Sequence, residues 1–179
     1  MPIQLSVVGT AAAALFVAAV VALISTPVVR SLAFRIGAVD VPKDGRRMHD
    51  HPIPRMGGLA IFFGFLLSVL VFLPLSLQLR SMLLGAVVIV ILGIFDDIYA
   101  LSAKLKFVVQ IIAALMAVLG GNQITVLSNI NVFSSEPYWE LGWLSYPISV
   151  LWIVAITNAV NLIDGLDGLA CGVSTISSM

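Results

Sequence analysis

The chain has 179 residues, of which 60% are hydrophobic and 10% charged, with nine Lys/Arg against nine Asp/Glu and a mean hydropathy of +1.12. A soluble domain carries about 25% charged residues, so this composition excludes an ordinary water-soluble domain and specifies an integral membrane protein. With zero net charge and a single cysteine, Cys171, which reads as a small core residue, there is no basic signal for nucleic acid, no disulfide framework and no thiolate metal site.

Leu5 to Thr26 is a charge-free stretch long enough to cross about 30 Å of hydrocarbon at about 1.5 Å per residue. No Lys or Arg precedes Arg30, so it lacks the basic head of a secretory signal and is read as a membrane span, closed by Pro27 and Arg30. Arg30, Arg35, Lys43, Arg46, Arg47 and Arg55 are six of the nine cations, and they place the following loop in the cytoplasm with the N-terminus outside. That loop also holds His49 and His51, and its prolines and glycines suggest an ordered segment leading into a helix.

A second span is predicted over Gly57 to Leu79, with Pro74 tolerated near its far end and Arg80 outside. Ser81 to Phe95 gives a third of about 22 Å, short of the hydrocarbon thickness, which brings Asp96 and Asp97 to the inner boundary. Lys104 and Lys106 follow on the same side, and Leu105 to Leu119 returns outward to Gly120-Gly121. The apolar segments Ile124 to Leu127 and Ile130 to Phe133 suggest a short external hairpin, with Trp139, Trp143 and Tyr146 as an aromatic belt. Ser145 to Thr157 runs inward, and Leu169 to Met179 begins a sixth helix. The predicted fold is all-α: a polytopic transmembrane bundle of five spans plus the start of a sixth, with residues 1–179 read as the N-terminal part of a single transmembrane domain.

After Thr157 comes Asn158-Ala-Val-Asn-Leu-Ile-Asp-Gly-Leu-Asp-Gly168, where Asn158, Asn161, Asp164 and Asp167 recur at every third residue. On a helix this spacing keeps them on one half of the cylinder, and Gly165 and Gly168 suggest a helix end opening onto a pocket. An Asn/Asp/Gly turn between helices is the plainer alternative. Counting five crossings places the basic loop, the Asp96-Asp97 pair and this row all on the cytoplasmic side.

An aspartate at a helix centre in the bilayer costs about 2.5–3.5 kcal/mol, less near the interface, so four of them require a partner or a task. Structural pairing with the nearby cations is one answer. Mg²⁺ is the other, because carboxylate and amide oxygens are hard ligands and Mg²⁺ takes one or two carboxylates together with waters and phosphates. Neighbouring on a helix, Asp96 and Asp97 point about 100° apart and should have different roles. The arginines and lysines suit a phosphorylated substrate, although each can also serve only to hold the loop inside. No glycine-rich P-loop is present.

His49 with Pro52-Ile-Pro-Arg-Met-Gly-Gly58, Gly93-Ile-Phe-Asp-Asp97 with Leu101-Ser-Ala-Lys-Leu-Lys-Phe107 and Gln110, and Asn158 through Ala170 form three motifs in sequence. Together they resemble the polyprenyl-phosphate N-acetylhexosamine-1-phosphate transferases, the superfamily of the phospho-MurNAc-pentapeptide translocase. Arg55 stands where the translocase branch has Thr, so the likeness is to the GlcNAc-1-phosphate branch that starts teichoic acid, O-antigen or enterobacterial common antigen synthesis. The resemblance implies a Mg²⁺-dependent enzyme of the plasma (inner) membrane that transfers GlcNAc-1-phosphate from UDP-GlcNAc to undecaprenyl phosphate, releasing UMP. It further implies about ten or eleven spans in the family, with a later metal-binding Asp and a sugar-recognition loop in a second half. Within this reading Asp96 and Asp97 are catalytic and Asp97 and Asn161 help to hold Mg²⁺. Asn158, Asn161, Asp164 and Asp167 lie on the nucleotide-sugar side, and Arg55, Lys104, Lys106 and His49 bind phosphate. A homodimer is compatible with it. The rivals are a translocase acting on UDP-MurNAc-pentapeptide and, in a different class, an ion-coupled transporter; the latter predicts polar residues at mid-membrane and repeated spans.

Overall fold

A computed structural model describes residues 2–40, 53–128, 138–163 and 168–178. The elements are α1 (Pro2–Ile36), β1 (Val39–Asp40), β2 (Ile53–Pro54), α2 (Gly57–Phe72), α3 (Leu77–Tyr99), α4 (Ala103–Leu119), β3 (Val126–Ser128), β4 (Tyr138–Glu140), α5 (Ser145–Ile163) and α6 (Leu169–Ser177). Three helical segments, Ser6–Ile36, Leu77–Tyr99 and Gly142–Ile163, are long and apolar enough to cross a membrane, and Gly57–Phe72 is a shorter apolar helix. Large side chains stand exposed around them, with Leu15, Phe16 and Leu23 each at least 70% exposed. Helices with so little polar face require an apolar surround. The protein is therefore an all-α membrane protein with two minimal antiparallel strand pairs, β1–β2 and β3–β4.

Several boundaries differ from the sequence reading. Thr26 and Pro27 do not end the first helix, which continues to Ile36. Val29 and Ala33 are buried there against Met56 and Ala60, and that packing outweighs the one backbone hydrogen bond lost at proline. Pro74, by contrast, does end a helix. It drives Leu73 into an extended conformation, α2 stops at Phe72, and Ser76 caps the new helix α3 by accepting from the Leu79 N–H at 3.2 Å. The expected span to Leu79 is therefore two elements, and α3, at 23 residues, reaches about 34 Å rather than falling short. Asp96 and Asp97 occupy its last turn. Asn158 and Asn161 lie inside α5, not beyond it, and Cys171 is exposed on α6, which packs chiefly on the end of α5.

Neighbouring helices are antiparallel and pack closely through small residues. Ser68 Oγ donates to the Ala14 carbonyl at 2.7 Å, and a Cβ on Gly64 would strike the Ala18 carbonyl. Between α3 and α4, a Cβ on Gly85 would come within 2.7 Å of the Ala113 carbonyl. Such approaches, with side-chain hydroxyls as glue, are how helices associate where lipid removes the hydrophobic drive.

The α3–α4 turn is built from three residues. Ala100 takes the left-handed conformation (φ 48°), the Asp96 carboxylate accepts from the Leu101 N–H at 3.0 Å, and Ser102 caps α4 through the Leu105 N–H at 3.4 Å. α1 ends on Gly37 (φ 77°) with the Ala38 N–H on the Ala33 carbonyl, and the Arg55 N–H bonds the Ala38 carbonyl, so β2 is fastened to the end of α1. At the other end Asn122 Nδ2 reaches the Gln78 carbonyl and Ser81 Oγ, and Ser149 Oγ accepts from the Ile124 N–H at 2.7 Å.

Two stability predictions follow from this packing. Gly85→Leu should lower stability by about 1–3 kcal/mol, the cost of overpacking, seen as a reduced Tm in detergent. Asp96→Ala should cost about 1–2 kcal/mol because a part-buried N–H and a partly exposed ammonium lose their acceptor, whereas Asp97→Asn should leave Tm nearly unchanged. Equal Tm losses in the two aspartate variants would contradict this division.

Candidate functional site

The alternation of direction brings the end of α1, the start of α2, the end of α3, the start of α4 and the end of α5 to one end of the bundle. A small core of Val29, Ala33, Ala38, Met56 and Ala60, with Ile94 and Ile98 of α3 packed on it, ties the first three together there. Among the described residues of the three motifs, Arg55, Asp96, Asp97, Lys104, Lys106 and Asn161 lie at these ends.

Asp96 is half-buried and paired twice, with Leu101 N–H on one oxygen and Lys106 Nζ on the other at 3.1 Å. This ion pair is about one-third exposed at each partner (34% and 32%), so it is a partly desolvated contact rather than a loose surface one. Asp97, the next residue, points elsewhere. Its charge interacts with the Arg55 guanidinium and with that of Asp96. The two neighbouring acids thus have different surroundings.

Lys104 and Lys106 stand in the first turn of α4, Lys104 exposed and Lys106 partly buried. The N-terminus of a helix already carries about half a positive charge, so two lysines there are unfavourable for the helix itself. Asp96 offsets Lys106. No ion pair involving Lys104 occurs among the described residues, and the surplus positive field makes this turn suited to an anion.

Asn158 joins the second and third motifs. Its Nδ2 donates to Gln110 Oε1 at 2.7 Å and to the Val154 carbonyl at 2.8 Å, while Gln110 Nε2 donates back to Asn158 Oδ1 at 3.4 Å. Gln110 as a partner was not singled out by the sequence reading, yet a signal existed: it is the one polar residue between Lys106 and Gly120. Asn161 is exposed near the end of α5. His49, Asp164 and Asp167 lie outside the described residues, as do Lys43, Arg46, Arg47 and His51; Gly168 opens α6 with a left-handed φ of 78°.

Thus Asp96 is tied to Lys106 and Gln110 to Asn158 across the helices α3, α4 and α5, with Arg55, just before α2, acting on Asp97 through its charge. The Asp97 carboxylate at the end of α3 and the Asn161 amide oxygen near the end of α5 are hard oxygen donors. Among the described residues no group of three His, Cys, Asp or Glu side chains forms a closed cage. One carboxylate and one amide fit Mg²⁺, which leaves most of its positions to water and phosphate, and do not fit zinc. A cavity of about 740 Å³ lies between α3, α4 and α5, away from the acids, with Gly85, Ala113 and Ala117 in its wall and Gln110 and Thr157 on its lining.

Comparison with known proteins agrees with the motif order. Residues 79–179 match glycosyl transferase family 4. The chain is 49% identical to a Bacillus subtilis protein named as a probable undecaprenyl-phosphate N-acetylglucosaminyl 1-phosphate transferase, over 91% of this chain and 45% of that one. It is 34% identical to the Mycobacterium tuberculosis decaprenyl-phosphate N-acetylglucosaminephosphotransferase, over 90% of this chain and 42% of that one. A phospho-N-acetylmuramoyl-pentapeptide-transferase of Heliobacterium modesticaldum is also 34% identical, over 83% and 49%. The chain therefore spans about half the length of the curated relatives it matches, and no solved structure matches it. With the family matched across more than half the chain, and with Asp96, Asp97, Lys104, Lys106 and Asn161 at one end of an apolar bundle, this protein belongs to glycosyl transferase family 4.

Proposed function

We propose that the protein of which these residues form part transfers GlcNAc-1-phosphate from UDP-GlcNAc to undecaprenyl phosphate, giving undecaprenyl-diphospho-GlcNAc and UMP. In this reading five helices cross the plasma membrane with the N-terminus outside, and the polar end faces the cytoplasm, where a cell-envelope polysaccharide is started. Residues 1–179 make up the N-terminal part of the transferase domain. The observation that carries the proposal is the Gln110–Asn158 contact, which joins the second and third motifs, together with the Asp96–Lys106 pair inside the second and Arg55 of the first close enough for its charge to act on Asp97.

The reaction forms a bond from an oxygen of the lipid phosphate to the phosphorus bearing the sugar and breaks that phosphorus's bond to the UMP oxygen. Phosphoryl transfer of this kind needs positioning and charge neutralisation more than covalent help from the protein. Arg55 and Lys104 supply positive charge to the phosphates, and Lys106 does so while tethered to Asp96. A phosphate monoester with a second pKa near ~6 is mostly dianionic at neutral pH, so its attack requires little assistance from a base. Asp96, held by Leu101 and Lys106, orients the phosphate-binding turn and takes the residual proton of the lipid phosphate where one remains. Asp97 and Asn161 would hold Mg²⁺, which when bound supplies charge to the diphosphate oxygens. Asp164 and Asp167 face the nucleotide, and His49 joins the phosphate cations.

The purified protein should release UMP from UDP-GlcNAc in the presence of undecaprenyl phosphate and should not turn over UDP-MurNAc-pentapeptide; the reverse preference would assign it to the translocase branch. Asp97→Asn should lower turnover ~100-fold and raise the Mg²⁺ concentration needed for half-maximal rate. Unchanged activity and metal dependence would remove Asp97 from the site. In a Cys171→Ser background, Lys104→Cys should react with an impermeant maleimide only from the cytoplasmic face, and labelling from outside would overturn the topology.

A further inference from the structure

We propose that Gln110 and Asn158 form a positioning pair that sets the depth and rotation of α5 against α4, and that Asn158 acts through Asn161 rather than on the nucleotide. Both N–H groups of the Asn158 amide are already spent, on Gln110 Oε1 at 2.7 Å and on the Val154 carbonyl at 2.8 Å, and its oxygen accepts from Gln110 Nε2. Nothing on its donor side remains for a substrate.

The position of this pair explains what it does. Moving toward the polar end, α4 advances about 6 Å from Gln110 to Lys106, and antiparallel α5 advances about 4.5 Å from Asn158 to Asn161. Steps of four and three residues keep each second side chain on the same face as the first. Asn161 is thereby brought close to the level of Lys106, whose ammonium rests on Asp96 at 3.1 Å. This reciprocal amide contact registers the third motif against the second at the polar end, while the Ile124 N–H on Ser149 Oγ and Ser145 Oγ on Gln123 Oε1 fasten the far end of α5. Around it α4 offers only apolar side chains from Phe107 to Leu119, which can slide or rotate against α5 without a defined stopping point. Amide pairing supplies that point, because slippage would leave two polar groups without partners in apolar surroundings.

The kinetic part of this inference rests on the transferase reading, and the stability part does not. Asn158→Leu and Gln110→Leu should each lower kcat ~10- to 100-fold, as misplacement of a site does, with KM for the nucleotide sugar essentially unchanged and Tm reduced. The Gln110→Leu/Asn158→Leu double variant should recover most of the lost Tm but not the lost kcat, because two apolar side chains leave no orphaned amide yet set no register. Exchange of the pair, Gln110→Asn with Asn158→Gln, keeps the summed length and should recover both kcat and Tm, which covers the case of a single variant that does not fold. An exchanged pair no better in kcat than Asn158→Leu, or a loss carried by KM, would overturn the proposal and make Asn158 a substrate contact. Additive Tm losses would overturn the pair whatever the sugar. A wild-type protein inactive on both nucleotide sugars would instead sink the transferase reading, while the Tm cycle would still decide the pair.

Discussion

A backbone N–H or carbonyl left unbonded in hydrocarbon costs several kcal/mol, and the ends of the helices in this protein are arranged around that constraint. Three of the helix ends close their hydrogen bonds by a local device. α1 curls onto Gly37 and Ala38, α3 begins on Ser76, and α4 begins on Ser102. At the hairpin end Asn122 and Ser149 serve the same purpose, reaching loop and helix backbone together. Because these devices need polar side chains, polarity concentrates at the two ends, and the middle of the bundle is left to glycine, alanine and branched aliphatics.

Asp96 shows how closely this structural need is joined to the chemistry. One of its oxygens closes the α3–α4 turn and the other holds Lys106 against a helix terminus that would repel it. Holding a lysine at that terminus concentrates positive charge where a phosphate is proposed to bind. Asp97, one residue on, carries no such duty to the turn and sits in the field of Arg55. Two neighbouring carboxylates thus differ in their partners.

The reciprocal contact of Gln110 and Asn158 extends the same logic into the apolar layer. Close packing of Gly85 on Ala113 leaves α3 and α4 little freedom to slide, whereas α5 meets α4 through bulkier side chains such as Ile111, Leu115 and Val150. The amide pair gives that looser seam a fixed register.

By itself the sequence determined the membrane class, the order of the helices and the three motifs that identify the family; of the expected hairpin it placed only the first strand, whose partner is Tyr138–Glu140. These follow from hydropathy, charge placement and residue type, which are local properties. Its reading of Pro27 and Pro74 came out reversed: each is a proline in or near an apolar helix, and only the packing of Val29 and Ala33 against α2 decided that the first stays helical. The clasp of β1 on β2 and the partners of Asp96 and Asn158 likewise depended on which ends meet in space. A short apolar span offers almost no sequence signal for its rotation or depth, since most of its faces are equally greasy. Those quantities are set by a few steric and hydrogen-bonding contacts between helices far apart in the chain, so only the tertiary structure could decide them.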